Sequence, residues 1–164
     1  MKRSLKKDEL RIILNNISEQ LLDYRNINRG GCCLFACLIA YQLDKRKIPY
    51  DVIIEYPSNS EEEIYEEVNS GTNYLEIHHI FLKVKRKYYY DSDGVKRSWH
   101  KDIIKVKLNS KDLGMLYAKG NWNPMFKESV SHKDLIKIKN VIKTEFKKYD
   151  KKIKNSLRYW WLLS

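Results

Sequence analysis

The chain predicts an α+β fold, and three observations predict it. Apolar residues recur at helical spacing near both ends, the strand-like stretches fall together in the middle, and no segment repeats. Its 164 residues suffice for one domain with a core of its own. No Pro- or Gly-rich linker divides them, so residues 1–164 read as a single domain.

The first helix is expected over residues 5–24, where Leu10, Ile13, Leu14, Ile17 and Leu21 form an apolar stripe and Ser4 suits an N-cap. Polar residues then lead into Gly30 and Gly31, and a second helix follows from Cys32 to about Lys45. Leu34, Phe35, Leu38, Ile39 and Leu43 make it apolar around most of its surface, as for a centrally buried helix. It closes on Asp44-Lys-Arg-Lys47, where cations suit the negative end of the helix dipole.

Tyr50–Tyr56 reads as a strand between Pro49 and Pro57. Residues 58–73 are acidic, and Ser60 with Glu63 fits a capping box, so a short solvated helix is expected there. Residues 75–92 read as a β-hairpin that turns at Lys85-Arg-Lys87 and returns through Tyr88-Tyr-Tyr90, with Asp91-Ser-Asp-Gly94 as turn residues at its end. Residues 103–108 alternate like a further strand, and residues 110–127 look irregular or partly helical. The last helix is expected from Ser131, with Asp134 completing a capping box and Leu135, Ile138, Ile142, Phe146, Tyr149 and Ile153 as its stripe. The end of the chain, Tyr159-Trp-Trp-Leu-Leu-Ser164, is apolar enough to be expected against the domain.

Twelve tyrosines and four tryptophans exclude a disordered chain. The net charge of +11 allows an anionic partner such as nucleic acid, an acidic protein or a membrane surface, and equally suits plain solubility. Stacking on Trp122, Trp160 and Trp161 would favour nucleic acid, but core packing is the commoner use of such residues, and no nucleic-acid motif is present. The opening residues are charged and no leader-like apolar stretch follows, nor is any apolar run long enough to span a membrane. All three cysteines fall between Cys32 and Cys37, which gives no disulfide framework and predicts reduced thiols in a cytoplasmic setting.

The chemistry points to Cys32. A cysteine where a glycine turn enters a helix meets unpaired N–H groups and a partial positive charge, which favour thiolate. A thiol nucleophile needs a base, and the base needs a group that fixes its tautomer. His79 opens the first hairpin strand and Asp91 ends the second, so antiparallel pairing can bring them together. The candidate triad is therefore Cys32, His79 and Asp91. Cys33, His78 and Asp93 compete for the same roles. Cys37 reads as a buried small residue. The backbone N–H of Cys32, helped by Asn26 or Asn28, is the candidate oxyanion hole. Zinc held by the three cysteines and a histidine fits poorly, because the Cys-x-x-Cys spacing is missing, so no metal or other cofactor is expected.

Four pieces carry a resemblance: Gly30-Gly-Cys-Cys-Leu-Phe-Ala36, Lys47-Ile-Pro-Tyr-Asp-Val52, His79-Ile-Phe-Leu-Lys-Val84 and Tyr90-Asp-Ser-Asp-Gly94. In order and spacing they resemble the transglutaminase-like branch of papain-type cysteine enzymes over about residues 28–95. The resemblance implies a papain-like fold, with a helix that begins at the cysteine packed on an antiparallel sheet and helices flanking at both ends. It also implies a Cys-His-Asp triad acting on an amide or ester of a protein or small acyl substrate, as a peptidase, amidase or acyltransferase. Lys47 stands where that family usually has glycine, and Lys83 where it commonly has an acidic residue. Arg29-Gly-Gly-Cys-Cys33 also resembles the arylamine N-acetyltransferases, a register that would make Cys33 the nucleophile. The other expectation is a basic, non-enzymatic binding module on the same fold, holding nucleic acid or an acidic protein.

Overall fold

A computed structural model describes residues 5–24, 27, 31–55, 62, 79–99, 103–119 and 131–161. Among the described residues the order is α1 (Leu5–Gln20), α2 (Cys32–Asp44), β1 (Tyr50–Glu55), β2 (His79–Val84), β3 (Tyr88–Asp91), β4 (Gly94–Lys96), β5 (Ile103–Val106), α3 (Ser110–Lys119) and α4 (His132–Trp161). The five strands form one antiparallel sheet in the order β4-β3-β2-β1-β5. The α+β expectation holds, with α1 and α4 as the flanking helices. The expected Ser4 cap, the acidic helix of residues 58–73 apart from Glu62, and the residues after Trp161 lie outside the described residues.

Period-two alternation divides the sheet into two faces. Val52, Ile54, Ile80, Leu82, Val84, Tyr90 and Val106 point to one side and join a single core with Leu10, Ile13, Leu14 and Ile17 of α1 and Phe35, Ala36, Ile39, Ala40 and Leu43 of α2. Phe35 meets the Tyr90 ring at 5.6 Å between centroids. The all-round apolarity of α2 follows from its place: the sheet lies on one side, and α3 and α4 pack on others.

Local chemistry sets the ends of these elements. The C-terminus of α2 closes as a Schellman motif, with Ile48 N donating to the Leu43 carbonyl and Lys47 N to the Asp44 carbonyl, both at 3.0 Å. Lys47 consequently sits at φ 52, the left-handed conformation in which glycine is strain-free. That conformation is a physical reason for glycine at such a position, and lysine adopts it here. The hairpin between β2 and β3 turns on Lys85 and Arg86, both at positive φ (52 and 57), the type I′ geometry that matches strand twist.

One expectation is sharpened and one element differs. Residues 110–127, expected to be irregular or partly helical, begin with the regular helix α3, and residues 120–127 lie outside the described residues. Asn109 caps it, its Oδ1 accepting from the N–H groups of Lys111 (2.8 Å) and Asp112 (3.1 Å). The chain after Asp91 forms a fourth strand, β4, because Gly94 at φ 111 reverses direction within two residues. The expected capping box of α4 is present: Asp134 N donates to Ser131 Oγ at 3.2 Å, and Ser131 N to Asp134 Oδ2 at 3.2 Å.

Candidate active site

The second face of the sheet carries a smaller cluster, and it surrounds His79. In the β1–β2 register His79 lies opposite Glu55, and in β2–β3 Leu82 lies opposite Tyr90. One further step of that register sets Asp91 opposite Phe81, so His79 and Asp91 are diagonal neighbours on one face. Their side chains close the gap: His79 Nε2 and Asp91 Oδ2 are 3.2 Å apart. The Cys32 thiol lies close enough to the imidazole to raise its basicity alongside Asp91. With Nε2 on the carboxylate, Nδ1 is the nitrogen left for sulfur. His79 is the first residue of β2, so its ring sits at the end of the sheet where α2 begins.

All three groups are largely withdrawn from water: Cys32 is 5 % exposed and Asp91 3 %, and the His79 side chain 13 %. Burial by itself lowers the basicity of His79. The hydrogen bonds and charges of Asp91 and Cys32 outweigh it and push the imidazole up to about 9. Burial likewise raises the Asp91 carboxyl, but hydrogen bonds from His79 and Lys96, with their positive charges, hold it below the usual carboxylate range. The carboxylate is multiply held. Lys96 Nζ donates to Oδ2 at 2.9 Å and Asp93 N donates to Oδ1 at 2.9 Å. From behind, Ser18 of α1 donates to the Asp91 carbonyl at 3.4 Å, and the Asn15 Oδ1 accepts from Val95 N at 3.0 Å.

The competing residues separate. Cys33 is fully buried, its thiol reaches the Leu113 carbonyl of α3 at 3.6 Å, and burial pushes it well above the ordinary thiol value. Cys37 reaches the Ser110 carbonyl at 3.3 Å and is likewise raised, first by burial and then by the Asp44 charge. The side chains of the three cysteines thus have different partners. Among the described residues no group of three or more His, Cys, Asp and Glu is arranged to hold a metal ion. Asp93 contributes its N–H to the Asp91 carboxylate and an exposed carboxylate 3.6 Å from Lys96. His78, Asn26 and Asn28 lie outside the described residues.

Three neighbours were not legible as site residues. Trp99 stacks on Phe81 at 4.0 Å between centroids and lies nearly parallel to His79 at 5.8 Å. Its indole N–H donates to Glu55 Oε2 at 3.1 Å, which fixes the ring over the histidine. Lys96 bonds the acid and lies 4.6 Å from the Trp99 centroid. The signal for Lys96 was the Asp91–Gly94 turn, which returns the chain alongside Asp91. Glu55 follows only from strand register, and Trp99 only from the path of the chain beyond β4.

Comparisons with protein-family models, with curated proteins and with solved structures return no match for this chain. Among the described residues no helix is long and apolar enough to cross a membrane.

Proposed function

We propose that this protein is a thiol hydrolase or acyltransferase acting on an amide or ester bond, most simply a cysteine peptidase or amidase, with the papain-type arrangement that the sequence resembles. One observation carries the reading: a single imidazole bonds a buried carboxylate and is raised in basicity by the thiol at the start of a buried helix beside it. Cys32 is the nucleophile, His79 the base and Asp91 the group that holds the ring.

The chemistry follows from the geometry. His79 takes the thiol proton, and the imidazolium so formed is stabilised by Asp91. The sulfur attacks the carbonyl carbon, and the carbonyl π electrons move onto oxygen. Helix N–H groups at the start of α2 are suited to receive that charge. Collapse of the intermediate breaks the bond to the leaving amine or alcohol, which takes the proton from His79. Water, or an acceptor amine, then gives a proton to His79 and attacks the thioester, releasing acid or amide and restoring the thiol. The substrate is a protein or a small acyl or amide compound. A free thiol in this role fits a reducing compartment such as the cytoplasm.

Iodoacetamide near neutral pH, followed by peptide mass analysis, tests the reading. Cys32 should be alkylated first, and His79→Ala should slow that reaction at least about tenfold, because the thiolate loses its counter-ion. Preferential labelling of Cys37, or a Cys32 rate indifferent to His79, would sink the proposal. Where a substrate is found, Cys32→Ala should remove turnover by about 10⁵-fold or more, while Cys33→Ala keeps it within a few-fold.

A further inference from the structure

We propose that a basic groove at the opposite end of α2 binds the backbone of single-stranded nucleic acid. It is independent of the thiol chemistry, since α2 is 13 residues long and its two ends lie ~20 Å apart. The groove runs between the last turns of α2 and the middle of α4, lined by Tyr41, Lys45, Arg46, Lys143, Lys147 and Asp150.

Charge is the first argument. Helix α4 holds ten Lys and Arg against three Asp and Glu, a net +7 of the chain's +11. All three acids are engaged: Asp134 caps the helix, Glu145 is buried against Gln20 and Lys148, and Asp150 takes both branches of Arg46 at 2.7–2.8 Å. Among the described residues no carboxylate pairs with Lys143 or Lys147. The groove therefore keeps net positive charge, facing solvent.

Shape is the second. Lys139, Lys143, Lys147 and Lys151 are exposed and recur every four residues, a row with a rise of ~6 Å per step along the helix. Such a row tracks a polyanion and does not close around one ion. Tyr41 is the third argument. It is 48 % exposed beside this row, and Lys45 Nζ lies 4.7 Å from its ring centroid. An exposed ring among lysines offers a stacking face to an unpaired base, which a duplex does not present.

The test uses the full chain and fluorescein-labelled 12-mers of uridylate and thymidylate, read by anisotropy over a salt series. Binding of either supports the proposal. The logarithm of the affinity should fall with the logarithm of salt with a slope of about −2 to −3, for three or four phosphate contacts. Lys143→Glu/Lys147→Glu, checked for folding by circular dichroism, should weaken binding at least about tenfold and flatten the slope. Tyr41→Ala should weaken it about tenfold. Affinity unchanged by the charge reversal would overturn the proposal. So would tighter binding of the matching duplex, displacement by poly-glutamate at equal charge, or flotation with phosphatidylserine vesicles without oligonucleotide binding.

Discussion

At its first residue α2 presents a buried thiol to an imidazole that a 3 % exposed carboxylate holds in place. At its other end it presents Lys45 to open solvent and lays Arg46 onto Asp150, whose side chain is 43 % exposed. Both ends obey one field: the helix dipole favours an anion at the first turn and cations at the last. Arg46 adds a direct cap there, its Nη1 donating to the Gln42 carbonyl at 2.8 Å. What separates the ends is water. Screening makes the charges at the exposed end cheap to change, whereas at the buried end each charge depends on its named partners. The same contrast assigns them different work: bond chemistry where charge is fixed and dry, and adaptable attraction where it is wet.

The comparison breaks most sharply at Asp91. Asp91→Asn keeps the shape of the side chain but removes the charge on which His79 and Lys96 converge. Turnover should fall about 10³- to 10⁴-fold, through the wrong imidazole tautomer. Stability should fall by about 3 kcal/mol, since two cations lose their common partner. Chemical denaturation and the rate of Cys32 alkylation measure the two effects. A variant with unchanged melting and unchanged thiol reactivity would mean that the buried end is no more demanding than the exposed one.

The second effect depends on pH. His79 is raised to about 9 from an ordinary value near 6.5. Its contribution to stability is therefore fully present below about pH 6.5 and is lost as pH rises through about 9, up to about 3 kcal/mol in all. Asp91 works in the opposite sense: held below the ordinary range, its contribution is present above that range and is lost as pH falls through the folded value. Melting of the wild type and of His79→Gln should differ most at neutral and mildly acidic pH and converge near pH 10. Parallel curves across that range would show that the imidazole carries no extra proton in the folded state.

Lys96→Met ranks third. Asp91 would keep His79 and the Asp93 N–H but lose a 2.9 Å ion pair, so its carboxyl should rise. The acid limb of the pH–rate profile should move upward, and turnover near neutrality should fall about threefold to tenfold. Arginine at this position should restore part of the profile. A simple loss of folding would lower the amount of active protein without moving the limb.

Much of the framework was legible because local pattern and tertiary burial agree. The stripe of α1, that of α4 from Ile138 to Tyr149 and the alternation of Ile80, Leu82 and Val84 in β2 are residues that the core buries. The pairing of His79 with Asp91 was legible because a hairpin is a local structure with a readable turn. β4 was missed, since Gly94-Val-Lys96 is too short to show alternation. α3 was only half seen, because Gly114 and a polar start mask its period, and its cap at Asn109 carries no charge signal. Glu55 and Trp99 were invisible for a stronger reason: the role of Glu55 depends on which residue faces which across strands, where a one-residue shift would send it to the other face, and Trp99 lies beyond the paired residues of β4. The choice of Cys32 over Cys33 also needed the position of α3, whose Leu113 carbonyl occupies the second thiol.

The smallest effect lies at the exposed end, and it closes the comparison because the bond concerned looks the better of the two. Arg46 grips both oxygens of Asp150 at 2.7 and 2.8 Å, shorter than the 3.2 Å between His79 and Asp91. Geometry alone would rank it stronger. But the Asp150 side chain is 43 % exposed, against 3 % for Asp91, so water already solvates one partner. A double-mutant cycle of Arg46→Met and Asp150→Asn should give a coupling below about 1 kcal/mol. Half-molar salt should erase most of it and leave the His79–Asp91 coupling nearly intact. Arg46→Met alone should cost somewhat more than the coupling, because the guanidinium also lies 4.8 Å from the Phe146 ring centroid and donates to the Gln42 side chain at 2.9 Å. Its effect on Cys32 alkylation should be nil. A salt-resistant coupling above about 2 kcal/mol would mean that bond length outranks burial here, and the division of α2 into a dry end and a wet end would lose its energetic basis.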